Sequence, residues 1–298
     1  MSALVSQSVD FTNLKYQAGF GNHHATEALP GALPLGQNAP QKCPYGLYAE
    51  QLTGTAFTCP RAKNFRSWLY RIRPSVTHAP FKKVSDTNEF DGLVDNPNQL
   101  RWRPFEVPTT SGITFANGCT LLTGAGNPAD KQGLAVYVYG ITASMEKTAM
   151  YNSDGDYLIV PQQGTLTIQT EMGLLVVEPC EIIVIPRGIK FSININGPSR
   201  GYVLEIFKAH FEIPSLGPIG SNGLANPRDF EIPVAHYQDI DETYTLINKY
   251  GNKYWTTTMG NTPFDVVAWH GNYYPVKYDL RKFNTMNSVS YDHPVSIS

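Results

Sequence analysis

Apolar and polar residues along this chain alternate in short bursts, not in long helical stripes. Residues 65–74, FRSWLYRIRP, alternate roughly apolar and polar and stop at Pro74, which predicts a strand. Further on, GLAVYVYGI, YLIVPQQGTLTIQT, LLVVEPCEIIVIPRGIKFSINI and RGYVLEIFKAHFEI form a series of strand-like runs broken by Gly, Pro or Asn. The block from about 133 to 213 therefore predicts a closed or sandwiched antiparallel sheet. Helical spacing is confined to two short pieces, 47–53 and 238–250, which are expected as brief helices. The stretch VSDTNEFDGLVDNPNQ reads as a surface loop, and no internal repeat or low-complexity tract is present.

Turn formers are spread over the whole chain, with 22 Pro and 25 Gly among 298 residues, and this fits many short strands joined by turns. Residues 20–60 are crowded with Pro, Gly and Asn yet contain Phe20, Leu47, Tyr48, Leu52 and Phe57. Aromatics in such a segment predict an ordered, packed irregular arm and not a disordered one. The fold class expected is mainly β.

Charge narrows the function. Charged residues make up 16% and the net charge is -2, so there is no electrostatic footprint for nucleic acid or an anionic membrane. The first twenty residues lack a basic region followed by an apolar one, and no run approaches the ~18 apolar residues of a membrane span. A soluble, cytoplasmic protein is the expectation. Cys43, Cys59, Cys119 and Cys180 form no Cys-x-x-Cys pair and are expected as buried small hydrophobes.

Several apparent motifs carry little chemistry. Gly124-Ala-Gly126-Asn-Pro-Ala129 matches a dinucleotide fingerprint in spelling, but a strand pattern follows it where a helix N-terminus would have to receive the pyrophosphate. No Gly-x-Ser-x-Gly elbow or phosphate loop occurs. Asp154 and Asp156 lack the Gly and Glu of a calcium loop, since Tyr157 and Gln163 stand at those positions, and they are expected to cap a tight turn. The histidines, His23, His24, His78, His210, His236, His270 and His293, make no His-x-His or helical His-x-x-x-His pair. Glu205 and His210, five apart in a strand, are expected on opposite faces.

The middle block resembles the cupin jelly roll, whose first motif is His-x-His, three or four residues, Glu, six residues, Gly, and whose second is Pro-x-Gly-x-x-His. Pro186 and Gly188 place the second motif, with Phe191 at its histidine position. If Gly164 closes the first motif, the Glu position is Tyr157, and the paired His positions are Tyr151 and Ser153, or Met150 and Asn152. None of these offers the imidazole, thiolate or carboxylate that a transition metal requires. The fold expectation is thus a cupin-like jelly roll with an irregular Pro/Gly-rich N-terminal segment, and no metal in this barrel.

Longer runs are similar to the homogentisate dioxygenases: GFGN at 19–22, EALPGALPLGQNAPQ at 27–41, PYGLYAEQLTGTAFT at 44–58, RSWLYRIRPS at 66–75, YNSDGDYLIVPQQG at 151–164, LGPIGSNGLANPRDF at 216–230 and FDVVAWHGNYYPVKYDLRKF at 264–283. The resemblance implies cleavage of the homogentisate ring by dioxygen to maleylacetoacetate, a step of tyrosine and phenylalanine breakdown. It also implies Fe(2+) held by two histidines and a glutamate in a C-terminal domain, and a trimeric or hexameric assembly. Residues 1–283 would form the N-terminal domain and 284–298 the start of the catalytic one. The run NSVSYDH places the family's general base on His293, an imidazole suited to taking a substrate hydroxyl proton. The match to the family's pattern breaks off after His293, so a truncated chain without ring-cleaving activity of its own is expected. The alternative is a non-catalytic interaction or oligomerisation protein. A replacement metal site among His210, His236, His270 and His293 is a third reading.

Overall fold

A computed structural model describes residues 6–36, 38–84, 96–99, 101–215 and 225–283. The strand-like runs of the middle block become β7 (Gln132–Ile141), β8 (Thr148–Asn152), β9 (Asp156–Gln163), β10 (Leu166–Thr170), β11 (Gly173–Val177), β12 (Glu181–Ile185), β13 (Phe191–Ile195) and β14 (Ser199–Ile206). These strands are shared between two sheets. An eight-stranded sheet runs β1-β15-β19-β12-β9-β14-β7-β6, where β1 is Tyr16–Ala18, β6 Cys119–Asn127, β15 Phe230–Pro233 and β19 Val276–Asp279. A seven-stranded sheet runs β11-β10-β13-β8-β16-β17-β5, with β5 Lys82–Lys83, β16 Tyr244–Tyr250 and β17 Lys253–Met259. Named strand pairs are antiparallel except β16 with β8. The mainly β, jelly-roll expectation holds.

Alternation explains the sandwich. Tyr137, Tyr139 and Ile141 of β7, Ile159 of β9 and Ile183 of β12 point to one face and are buried against Ile168 of β10, Leu175 of β11, and Phe191 and Ile193 of β13. Strands with a period of two bury one set of side chains in this way. The seven-stranded sheet is covered on its other face too, where Ala149, Tyr244, Leu246, Met259 and Phe264 form a second cluster.

A third sheet, β2-β18-β4-β3, is built from the N-terminal arm and the end of the described chain: β2 His24–Glu27, β3 Tyr48–Thr53, β4 Arg66–Arg71 and β18 Val266–Gly271. The strand expected over 65–74 is β4. Arg71 clamps this sheet to the barrel. Its Nε donates to Asp265 at 3.1 Å, one terminal nitrogen to Glu50 at 3.0 Å, and the other to Glu171 at 3.0 Å and to the Pro263 carbonyl at 3.1 Å. Burial opposes the charge on Arg71, but Asp265, Glu171 and Glu50 outweigh it and raise its pKa. A buried guanidinium with all these partners is stabilised by them and cannot be left without them.

Several expectations are corrected. Residues 47–53 and 238–250 are not helices: Tyr48–Thr53 pairs along its length with β4, and Tyr244–Tyr250 pairs with both β8 and β17. Ladder hydrogen bonds on two sides, with Tyr, Thr and Ile well suited to strands, override a weak helical spacing. The cysteines are not buried as a set, because Cys180 lies exposed in a turn with φ +75° and the other three are half-buried. The N-terminal arm is ordered, but not all its aromatics pack, since Phe57 is 89% exposed. Gly126 and Gly133 serve a tight hairpin, where a Cβ on either would strike the opposite backbone, and Asn127 caps the turn by accepting from Ala129 N at 2.9 Å.

Arg71→Met should destabilise the fold by about 3–5 kcal/mol, because it leaves Glu171 and Asp265 buried without their cation. Denaturant unfolding checks this, and a loss under about 1 kcal/mol would show that the sheets are held together without the clamp.

Candidate functional site

The jelly roll's interior decides between the two registers that the sequence left open. Met150 and Asn152 are buried, whereas Tyr151 and Ser153 are only half-buried, so the former pair faces the barrel together with Tyr157 and Phe191. Phe191 lies directly opposite Met150 in the sheet. The four positions therefore converge, and they bring an amide, a phenol, a thioether and a phenyl ring.

Charge enters this interior from elsewhere. Asn152 Nδ2 donates to Glu205 Oε1 at 2.6 Å, and the Tyr137 hydroxyl donates to Glu205 Oε2 at 2.8 Å. Lys249 of β16, on the barrel-facing side of its strand, places Nζ 2.8 Å from Glu205 Oε1, 2.9 Å from Asp154 Oδ2 and 3.4 Å from Asn252 Oδ1. The three ammonium donors thus meet three acceptors, and Lys249, Asp154 and Glu205 are all buried. Asp154 also accepts from Gly251 N at 2.7 Å and Asn252 N at 2.8 Å, which fixes the β16–β17 hairpin. Gly251 and Asn252 have φ of +63° and +59°, the two left-handed residues of a tight hairpin turn. Burial, and after it the Glu205 charge, raises the Tyr137 pKa; Tyr157 is raised by burial first and then by Tyr254 and Glu205. Both phenols stay neutral donors.

The expectation that Asp154 and Asp156 cap their own turn is corrected. Asn152 does that, its Oδ1 accepting from Asp154 N at 2.9 Å and Gly155 N at 3.3 Å, while both aspartates serve buried ion pairs. Asp156 Oδ1 takes Arg187 N and Nε at 3.0 and 3.1 Å, and Oδ2 lies 2.8 Å from His210 Nδ1. The other ring nitrogen of His210 is 2.8 Å from the Gly54 carbonyl, and Arg187 donates onward to the Phe207 and Ala209 carbonyls. β14 ends at Ile206, so His210 lies beyond the strand; Glu205 points into the barrel and His210 away from it.

The remaining histidines stand apart. His24 Nε2 is 3.0 Å from the Gly19 carbonyl, and His78 Nδ1 is 2.8 Å from Ala79 O. His236 Nε2 meets Ser8 O at 3.1 Å, with Nδ1 buried and unpartnered. His270 Nε2 meets the Tyr70 hydroxyl at 2.9 Å; burial, then the proximity of His23, lowers the His270 pKa, and burial pushes Tyr70 up to about 12. His293 lies outside the described residues.

A ferrous ion held by two imidazoles and a carboxylate does not fit this chemistry. Among the described residues no group of three or more His, Cys, Asp or Glu is arranged to hold a metal. The closest approach, Asp156 with His210, has both ring nitrogens occupied and the Arg187 guanidinium where a cation would have to sit. Lys249 was not singled out from the sequence, and Glu205 was weighed only beside His210. The available signal was a lysine at the strand parity of Ile247, but only pairing shows which side of β16 faces the barrel.

The profile of the family described as "Homogentisate 1,2-dioxygenase N-terminal" matches residues 15–280. A homogentisate 1,2-dioxygenase of Caenorhabditis elegans is 58% identical over 291 residues, covering 95% of this chain and 67% of the relative. One of Homo sapiens is 54% identical over 289 residues, covering 94% and 65%. The chain thus spans about two thirds of the length of these relatives. A solved cupin superfamily protein of Desulfitobacterium hafniense is 12% identical with a TM-score of 0.30, covering 39% of this chain and 100% of that one. Among the described residues, no helix is long and apolar enough to cross a membrane.

Lys249→Met, similar in size but uncharged, should cost about 3–5 kcal/mol by leaving Asp154 and Glu205 unpaired. Adding Glu205→Gln should recover a large part of that loss in denaturant unfolding. A double variant no better than the single one would place the cost in packing and not in charge.

Proposed function

The chain belongs to the homogentisate 1,2-dioxygenase family, and from that membership we propose that it supplies the N-terminal jelly roll of an enzyme that cleaves the ring of homogentisate with dioxygen, giving maleylacetoacetate. The observation that carries this reading is identity of 53–58% to homogentisate dioxygenases of four animals and of Dictyostelium discoideum over 94–95% of the chain. In this reading the barrel is a scaffold. Inside it Lys249 pairs with Asp154 and Glu205, and Met150, Asn152, Tyr157 and Phe191 carry no metal-binding groups, so no step of the reaction is placed on the described residues.

Ferrous iron belongs to the family's chemistry, where it supplies open coordination positions for the ring and for dioxygen. We place its ligands outside the described residues, in a catalytic domain that starts with residues 284–298. His293 is assigned as the acceptor of a substrate hydroxyl proton, a task that suits an imidazole near neutral pH. Homo-oligomerisation and a cytoplasmic location form part of the same proposal. A second reading, an interaction protein derived from the enzyme, is favoured by one observation: an apolar sheet face that stays half-exposed.

The experiment measures bound iron and oxygen uptake with homogentisate, after anaerobic loading with Fe(2+). It compares the 298-residue chain with the same chain continued to the length of the C. elegans relative. The longer protein should hold iron and consume oxygen, and the 298-residue chain should do neither. Iron in proportion to protein, with turnover, in the shorter chain would overturn the scaffold assignment. In the longer protein His293→Asn should retain iron and lower kcat by about 10²–10⁴-fold, the usual range for a lost general base, and an unchanged kcat would remove His293 from the mechanism.

A further inference from the structure

One face of the eight-stranded sheet has the wrong chemistry for water. Across β9, β14 and β7, the side chains pointing away from the barrel core include Val136, Val138, Leu158, Val160, Tyr202 and Leu204, aligned opposite one another in the ladder. All are half-buried or exposed, with Tyr202 37% and the neighbouring Leu134 40% exposed. An antiparallel sheet facing solvent normally alternates apolar inward and polar outward, and this one is apolar on both sides.

The same face is already covered at its other end. There Phe20 of the N-terminal arm lies 5.1 Å from Phe230, which stacks 4.5 Å from Tyr278 of β19. Beside this cover lies a socket whose lining includes Phe20, Phe65, Phe211, Tyr274, Val184 and Val276, and on the far side Pro108 and the Phe105 carbonyl lie over Gly140 and Arg200. Val184 lies opposite Leu158 in the ladder, so the socket adjoins the half-buried part of the face.

The direction of the chain identifies what covers the rest. β19, the last strand before the described chain ends at Phe283, is separated from β9 only by β12, about 10 Å across the sheet at ~4.8 Å per strand. The last turn exposes Leu280 and Phe283, at 42% and 41%, which continue the apolar surface toward the exit. The family profile that fills residues 15–280 is described as N-terminal, and about a third of the relatives' length lies outside the match.

We propose that the face formed by Val136, Val138, Leu158, Val160, Tyr202 and Leu204 is the seat of the C-terminal third of the relatives' polypeptide, with the aromatic socket beside Val184 as the anchor for one of its apolar side chains. The proposal rests on family membership and not on the ring-cleaving activity.

Hydroxyl-radical footprinting tests it by comparing the 298-residue chain with the chain continued by the C-terminal third of the C. elegans relative, both at concentrations where light scattering reports monomers. Modification of Tyr202 and Leu134 should slow severalfold in the longer protein, with Tyr250, exposed on the other sheet, unchanged as the control. Equal rates at Tyr202 and Leu134 in both proteins would overturn the proposal. So would protection that grows with concentration in the 298-residue chain alone, which would assign the face to a second copy. The variant Val138→Lys/Tyr202→Lys should melt like the parent as the 298-residue chain and abolish the protection in the longer one; a lower melting midpoint in the short chain would mean that the face is packed within it, against the proposal. If the longer chain does not fold, the intact C. elegans relative carrying a photo-crosslinking residue at the position matching Tyr202 gives the readout. Crosslinks to its unmatched third support the proposal, and crosslinks elsewhere overturn it. Iron and oxygen uptake are not part of this readout, so its outcome is independent of the activity.

Discussion

A buried ammonium cannot be moved by much without cost, and in this barrel the position of Lys249 fixes the parts around it. Its three protons reach one oxygen each of Asp154, Glu205 and Asn252, which belong to the β8–β9 turn, to β14 and to the β16–β17 hairpin. Glu205 in turn holds Asn152 and Tyr137. Two sheets and a hairpin are therefore located relative to one cation. The attraction is strong because the site is dry, and the same dryness makes any missing partner costly. Met150, Asn152, Tyr157 and Phe191 face the same interior and bring no group that binds a transition metal well, so the charge in it is that of Lys249 and its partners.

The Arg71 cluster repeats this logic at the boundary between the barrel and the third sheet. Arg71 belongs to β4, Glu50 to β3, Glu171 follows β10, and Asp265 precedes β18. Glu171 also receives Lys190 N at 2.9 Å, which links the cluster to the strand leading into Phe191. Burial raises the pKa of Asp265 more than Arg71 and the Arg73 amide lower it, so this carboxylate is held in place at an electrostatic cost. Hydrophobic packing tolerates small shifts, whereas these bonds do not, and they set how the N-terminal arm sits on the jelly roll.

Sequence alone made the sandwich readable because its signals are local: strand-length apolar runs, a period of two, and Gly or Pro at the turns. It failed where the deciding partner is distant. Tyr244–Tyr250 carries a weak helical spacing, and only its parallel partner β8 and antiparallel partner β17 make it a strand. Asp154 and Asp156 looked like turn residues because their neighbours in sequence are turn residues, yet the groups they bind lie 95 and 54 positions away, at Lys249 and His210. The absence of ligands at the cupin positions was visible in the string of letters. The buried ion pairs of Lys249 were not, because a lysine in a strand gives no sign of which face it occupies until the pairing is known.

The two faces of the eight-stranded sheet then have different causes. The inner face is explained within the chain, by Ile168, Leu175 and Phe191 across the sandwich. The outer face is covered by the described chain at two places, by Phe20 and Phe230 on one side and by the 105–108 segment over Gly140 and Arg200 on the other. Between them, Leu158, Tyr202 and Val138 continue the same apolar chemistry, half-buried or exposed among the described residues. The residues that specify the fold cannot account for these side chains, since a polar residue at each would leave the ladder and the inner core untouched. Their apolar character is a property of an assembly larger than the described fold, and a scaffold pinned by the buried Lys249 cluster is suited to that role: rigid inside, and adhesive on one outer face.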